Sequence, residues 1–293
     1  MQGFFLICVS SARRQPLTQI DLLFLHETIP DIQINWLNPG KAAEIFLSDI
    51  LSPETLSFIR DKAGKISVDV FLTPATHRRK KLLLADMDAT IVEGETLDAL
   101  AAYTGLEDHI AAITARAMRG ELDFKAALDE RVQMLRGLPV IALDKTLSDI
   151  TINPGARDTI RVMRAHGAEC YLVSGGFTYF THPVAEACGF NGHHGNQLEI
   201  KDGHLTGKVC PPILDKESKQ ALLYEYTSKL GLLAEQTMAV GDGANDIPML
   251  LAAGTGVGYC PKPVVQKEIF NAIIHTDLTS LLYIQGYTGD DIK

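Results

Sequence analysis

Residues 81–90 read KLLLADMDAT. The apolar run Leu82–Ala85 stops abruptly at two aspartates, Asp86 and Asp88. A short apolar run with a polar stop reads as a strand buried in a parallel sheet. In open α/β sheets, ligands gather at the carboxyl ends of the strands. Two acids two residues apart point the same way on an extended chain. Asp86 and Asp88 would then crowd like charges into one crevice. That is costly unless a cation or a shared proton relieves it. The competing reading is a pair of solvated turn aspartates, common after a strand. On this stretch alone both readings stay open.

Toward the C-terminus, residues 97–150 are helical in pattern. Leu97–Tyr103, Glu107–Arg119, Phe124–Leu135 and Leu143–Ile150 are separated by Gly105, Gly120 and Gly137-Leu138-Pro139. They read as an all-helical insertion over about residues 96–152, closed by Asn153-Pro154-Gly155. A helix, Ala156–His166, and a strand, Glu169–Val173, follow; the strand ends in Ser174-Gly175-Gly176. After a helix at Tyr179–Ala187, Gln197–Ile200 and His204–Val209 flank the hairpin signal Lys201-Asp202-Gly203. His193-His194 reads as a loop beside this hairpin. Lys216–Leu230 is a helix, and Thr237–Val240 is a strand running into Gly241-Asp242-Gly243-Ala244-Asn245-Asp246. A helix starts at Ile247, and Val257–Tyr259 and Ile273–His275 are short late strands. This alternation predicts an α/β, doubly wound parallel-sheet unit over residues 82–293.

Toward the N-terminus, residues 74–81 are polar and basic and read as a linker. Residues 1–73 have a different rhythm. Strands are expected at Phe4–Ser10, Asp31–Trp36, Ala42–Leu47 and Ile66–Leu72. Helices are expected at Leu17–Thr28, spaced by Leu17, Ile20, Leu23 and Leu25, and at Ser52–Lys62, where Ser52-Pro53 supplies an N-cap and Pro at N1. This βαββαβ order gives a small α+β, ferredoxin-like unit. It resembles the ACT-type regulatory domains that sense amino acids. The Ser10–Gln15 loop has no glycine, so packing or a homodimer through this unit is the plainer expectation.

The chain of 293 residues is 46% hydrophobic and carries a net charge of −9. A nucleic-acid binder would show a basic face; the densest basic cluster is only His77–Lys81. No apolar stretch approaches the roughly 20 residues of a membrane span. No basic n-region or cleavage motif marks a signal peptide. Five scattered cysteines form no CxxC pair, which excludes a zinc signature and a disulfide framework. Free thiols, buried at Cys170 and Cys188, in a reducing cytoplasm are the expectation.

Three strands thus end in acidic or glycine-rich turns that converge in such a sheet. The acids form an oxygen-rich site of the kind Mg²⁺ prefers. Ser174 and the glycine amides precede a helix and can donate to a phosphate. Lys216 and Lys219 lie on the intervening helix and offer a cation. Asp86-Met87-Asp88-Ala89-Thr90, Ser174-Gly175-Gly176, Lys219 and Gly241–Asp246 are, in this order, similar to the four motifs of the haloacid dehalogenase superfamily. Within it, residues 82–285 resemble the phosphoserine phosphatases.

The resemblance implies roles. Asp86 would be the nucleophile that takes the phosphoryl group, and Asp88 the general acid and base. Asp86, the backbone carbonyl of Asp88, and Asp242 would surround Mg²⁺, with Asp246 as outer support. Ser174, Gly175 and Lys219 would clamp the phosphate, with Asn245 beside it. In the insertion, Glu95 would meet the substrate ammonium, Arg131 its carboxylate, and Phe124 would shield the site. The implied activity is hydrolysis of O-phospho-L-serine to L-serine and phosphate, the last step of serine biosynthesis. Alternatives are a phosphatase for phosphohomoserine or phosphoethanolamine, and an amino-acid sensor built on a dead phosphatase.

Overall fold

Strand β1 (Phe4–Ser10) is buried from Leu6 to Ser10, which a strand with one wet face would not allow. Its side chains divide by parity. Leu6 and Cys8 join a core with Leu22, Leu25, Ile59 and Val70; Ile7 and Val9 join the large core of the rest of the chain. β1 lies between β3 (Ala42–Leu47) and β4 (Val68–Pro74), and β2 (Ile34–Asn38) pairs outside β3. All pairings are antiparallel, the ferredoxin-like order. Helix α1 (Pro53–Gly64) begins as read: Ser52 Oγ accepts the Thr55 N–H at 3.2 Å, with Pro53 at the first helical position. The structure, a computed structural model, describes residues 3–29, 32–103, 105–118 and 123–293. For residues 107, 111, 114, 115, 117, 118 and 124 it describes the backbone alone. The expected strand start Asp31, the helix end Arg119 and the separator Gly120 lie outside the described residues.

The expected helix at Leu17–Thr28 is a 3-10 helix, Ile20–Glu27. Three residues per turn place Leu22 and Leu25 on one buried face. Ile20 and Leu23, two of the four residues that set the expected helical spacing, are 78% and 53% exposed.

In the second unit, β5 (Leu82–Ala85) leads into four helices, α2 (Thr96–Ala102), α3 (Glu107–Met118), α4 (Phe124–Met134) and α5 (Ile141–Asp149). Then come α6 (Ala156–Ala165), β6 (Glu169–Phe177), α7 (Thr178–Cys188), β7 (Gly192–Lys201) and β8 (His204–Cys210). The chain continues through α8 (Lys216–Lys229), β9 (Thr237–Gly241), α9 (Ile247–Ala252), β10 (Thr255–Tyr259), α10 (Pro263–Glu268) and β11 (Ala272–Ile273). The sheet order is β11-β10-β9-β5-β6-β7-β8, parallel except for β8. β5 therefore sits in the centre, and its unbroken apolar run follows from coverage on both sides. Leu83 and Ala85 pack with Ile160, Met163 and Phe180 on one face; Leu82 and Leu84 pack with Leu223, Met249 and Leu250 on the other. His193 and His194 lie inside β7 rather than in a loop. Their rings bond Thr181 and the Tyr226 hydroxyl, both at 2.8 Å.

The helical insertion is tied at its base. Val92 bridges Ile152, and the Asn153 side-chain amide donates to the carbonyls of Thr90 and Val92 at 2.8 and 3.1 Å. It is also tied to the β7–β8 hairpin. Gly137 N–H donates to Leu205 O at 2.8 Å, Leu205 N–H to Leu138 O at 2.9 Å, and Val140 N–H to Gly203 O at 2.9 Å.

The stretch read as a linker is partly buried. Lys80 is 2% exposed and its Nζ donates to the Glu235 carbonyl at 2.7 Å. Arg78 pairs with Glu44 at 2.6 Å and donates to the Ile284 carbonyl at 2.9 Å. The Asp69 carboxylate on β4 accepts the backbone N–H groups of Ile274, His275 and Thr276 at 3.0–3.1 Å. Asn271 closes the outer edge of β4, bonding both the N–H and the carbonyl of Leu72 at 2.8 and 3.0 Å.

Candidate active site

Asp86 follows the central strand directly, and its N–H donates to Val240 O at 3.0 Å, so the sheet ladder holds its backbone. Asp86 and Asp88 both have extended backbone, whereas Ala89 is left-handed at φ 51°. That conformation costs an L-residue on the order of 1 kcal/mol. It turns the chain so that Ala89 N–H meets Gly94 O at 2.7 Å.

The two acids have different partners. Asp86 Oδ1 lies 2.7 Å from Lys219 Nζ. Asp88 Oδ1 accepts the Thr96 N–H at 2.8 Å, and Oδ2 accepts the Ser174 hydroxyl at 3.1 Å. The Ser174 oxygen in turn accepts the Gly176 N–H at 2.8 Å. A Cβ on Gly176 would lie 2.8 Å from Asp88 Oδ2, so only glycine lets the backbone come this close. The Gly175 carbonyl accepts the amide of Asn196, 2.8 Å away. The fully buried Asn196 also bonds both the N–H and the carbonyl of Leu214, at 2.7 and 3.2 Å. One side chain therefore joins the Ser174 turn to the loop that leads into α8.

That helix begins with a reciprocal cap between Asp215 and Ser218. Lys219, one turn in, is 1% exposed; its Nζ bridges Asp86 and Asp246, with Asp246 Oδ1 at 2.6 Å. Lys216, the other cation considered, is exposed and pairs with Glu217. Asp246 Oδ2 accepts the N–H groups of Asp242 and Gly243 at 3.2 and 3.1 Å. A Cβ on Gly241 would fall 2.5 Å from Asp246 Cγ, which explains the glycine. Asn245 folds back over Gly243, whose added Cβ would lie 2.5 Å from Asn245 Oδ1.

Ligand oxygens of Asp86, Asp242 and Asp246 all lie within 4.8 Å of one another, the one such group of His, Cys, Asp and Glu among the described residues. Three buried carboxylates share one buried cation, Lys219, and so fit a hard divalent cation bound through oxygen. The Asp88 carboxylate is outside this group. Burial, then the Asp246 charge, pushes the Asp86 carboxyl well above its ordinary 3.8, and Lys219 opposes the shift. Burial also raises Asp242, against the pull of Lys262. Burial alone would lower the Lys219 ammonium, but Asp246 and Asp86 outweigh it and raise it.

Glu95 stands just before α2, with Oε1 3.4 Å from Lys262 Nζ. Burial, then the Asp88 charge, lifts its carboxyl above the ordinary value. Arg131, in the last turn of α4, donates from Nε to Ala127 O at 3.2 Å. Burial lowers its guanidinium, with Asp98 and Glu95 countering. Phe124 opens α4; its side chain lies outside the description.

Two residues in this geometry escape a reading by motif. Lys262, whose Nζ is 3.1 Å from Asp242 Oδ2, sits at the carboxyl end of β10. Its position at a parallel strand's end, before Pro263 at N1, was the available signal. Asn196 gave none, because only the fold brings it beneath Gly175.

The family pattern for haloacid dehalogenase-like hydrolases matches residues 83–251. Phosphoserine phosphatase of Streptomyces coelicolor is 38% identical over 257 residues, 87% of this chain. The chain spans only 63% of that relative's length. A solved HAD family hydrolase from Salmonella enterica superposes with a TM-score of 0.85 at 30% identity, covering 97% of this chain and 98% of the other. A phospho-aspartyl intermediate analogue of phosphoserine phosphatase superposes with a TM-score of 0.65 at 37% identity, covering 70% of this chain and 98% of that one. With a match over more than half its length and the motif residues gathered at the strand ends, the chain belongs to the haloacid dehalogenase-like hydrolase family.

Proposed function

We propose that the protein is a Mg²⁺-dependent phosphoserine phosphatase that forms an aspartyl phosphate on Asp86. The observation that carries this reading is the convergence of Asp86, Asp88, Ser174 and Lys219 at the carboxyl ends of β5 and β6, with the phosphoserine phosphatases among the relatives in support. Asp86, Asp242 and Asp246 would hold or support the cation, together with the Asp88 carbonyl. When bound, it would neutralise phosphate charge, which is most of what phosphoryl transfer needs.

The residues divide the chemistry as follows. Lys219 and the amides of the Ser174–Gly176 turn bind the phosphoryl oxygens, and Asn245 supports them. Lys219 grips Asp86 Oδ1 and leaves Oδ2 as the attacking oxygen. A bond forms from Oδ2 to phosphorus as the ester P–O bond breaks, and Asp88 gives its proton to the departing seryl oxygen. Thr96 N–H and the Ser174 hydroxyl hold the Asp88 carboxyl at the leaving group. Asp88 then takes a proton from water as that water attacks phosphorus, and the aspartyl P–O bond breaks. Glu95 receives the substrate ammonium and Arg131 its carboxylate, while Phe124 excludes water.

A phosphate-release assay over small phosphomonoesters, with Mg²⁺ and with chelator, tests the reading. Turnover requires Mg²⁺ and is abolished in Asp86→Asn. Arg131→Ala raises KM for phosphoserine by about 10- to 100-fold, the worth of a charged hydrogen-bonded pair, and barely changes it for phosphoethanolamine, which lacks the carboxylate. Equal losses on both esters would sink the role given to Arg131.

The same proposal places the enzyme in the cytoplasm; no described helix is long and apolar enough to cross a membrane. It divides the chain into an ACT-like unit at 1–73, a connector at 74–81 and a phosphatase unit at 82–293 with its cap at about 96–152. A homodimer would form through the first unit, and sedimentation of the full chain checks this.

A further inference from the structure

The structure contains two lysines aimed at the acidic site, and they are held differently. Lys219 is 1% exposed, with contacts of 2.7 and 2.6 Å. The Lys262 side chain is 43% exposed, and its contacts to Asp242 and Glu95 are longer, 3.1 and 3.4 Å. Its backbone is anchored, because Lys262 N–H donates to Asp242 O at 2.9 Å. The stem is fixed while the ammonium head stays within reach of water.

The two partners of that head belong to different parts of the site. Asp242 is one of the three clustered carboxylates; Glu95 stands at the entrance to the cap. Each would receive a cation in the proposed reaction. Asp242 would take the metal, and Glu95 the substrate's alkylammonium group, which is chemically the same as a lysine head. We propose that Lys262 is an exchangeable place-holder: its ammonium neutralises Asp242 and Glu95 until a divalent cation and a substrate ammonium group take them over. This rests on the phosphoserine reading for its Glu95 half and on the carboxylate geometry alone for its Asp242 half. The Lys262–Glu95 pair is half-exposed on both sides and exchanges at low cost, because water screens it; the Asp242 side chain is only 7% exposed, so its pair is given up to another cation rather than to water. Without Lys262, Glu95, Asp88 and Asp242 would repel one another across the entrance.

The test uses full-length Lys262→Met and Lys262→Arg. Calorimetric titration with MgCl₂ and no substrate should give at least about threefold tighter binding in the Met variant, because the ammonium that competes for Asp242 is gone and even a surface pair is worth about that much. The Arg variant, which keeps the charge, should bind Mg²⁺ as the parent protein does. With saturating Mg²⁺, KM for phosphoserine should fall in Lys262→Met, while KM for phospholactate, which lacks the ammonium, stays unchanged. Unchanged or weaker Mg²⁺ binding in the Met variant, an Arg variant that behaves like the Met one, or equal KM changes on the two esters would each overturn the proposal. The titration needs no turnover. A protein inactive on phosphoserine would refute the substrate and still give a readable Mg²⁺ result.

Discussion

Asp86 is held in tension between burial and charge. Burial and Asp246 push its carboxyl up; Lys219 holds it down. Asp242 and Glu95 are also raised, chiefly by burial. A carboxyl raised in the folded state binds more protons than it does unfolded, so folding is favoured at low pH and weakened as pH rises. For these groups the weakening begins above their ordinary values, 3.8 for the aspartates and 4.5 for Glu95, and continues through the raised ones. A divalent cation held by Asp86 and Asp242 would take the place of their protons. The gain in Tm on adding Mg²⁺ should therefore grow with pH across this window. Thermal unfolding in Mg²⁺ and in chelator at stepped pH measures it, and a gain that did not change with pH would contradict the account.

At the scale of the element, the Gly241–Asp246 turn is packed to contact. In Gly241→Ala the new Cβ would meet Asp246 Cγ at 2.5 Å. Asp246 must then move, and Lys219 moves with it away from Asp86. A displacement near 1 Å at the reacting groups costs about a hundredfold in rate, so kcat should fall by about that much while the fold survives. Steady-state kinetics beside a circular dichroism spectrum tests this.

The elements were legible where periodicity and punctuation agree. Leu82–Ala85, Thr237–Gly241 and the hairpin around Asp202-Gly203 all lie where the apolar runs and turn residues put them. The helix at Leu17–Thr28 is legible, but not that it is a 3-10 helix: the apolar spacing of Ile20 and Leu23 does not predict a turn of three residues that buries Leu22 and Leu25 instead. Ser174, Lys219 and Asp242 could be found because each belongs to an ordered motif. Lys262 carried only its place after a parallel strand, and Asn196 carried no signal at all, since its meaning arises only when distant strands become neighbours. The parity of β1 was equally hidden: a continuous apolar strand does not say that two different cores share it.

Across the whole molecule, the N-terminal sheet is docked through polar contacts as well as apolar ones. Asp69 alone satisfies three backbone N–H groups of the larger sheet's C-terminal segment and the Thr276 hydroxyl. Asp69→Ala leaves those donors without an acceptor and should cost about 2–4 kcal/mol. The loss should appear as a lower Tm and as new proteolysis between residues 75 and 81. Asp69→Asn, which retains an acceptor oxygen, should recover part of it. An unchanged Tm in Asp69→Ala would show that the apolar contacts of Ile7, Val9 and Phe71 and the bonds from Asn271 and Arg78 dock the sheet without Asp69.

The ties between residues 137–140 and the β7–β8 hairpin constrain the mechanics of the cap. The hairpin joins the cap at Gly137, Leu138 and Val140, and Gly207 of β8 packs against Gln133 and Arg136. The segment that carries Arg131 is thus bolted to the frame, and α2 is held at its own start, where the Thr96 N–H donates to Asp88 Oδ1 at 2.8 Å. The cap is braced on two sides, and any motion that freed its helices would first have to break the 137–140 strut or the Thr96 bond.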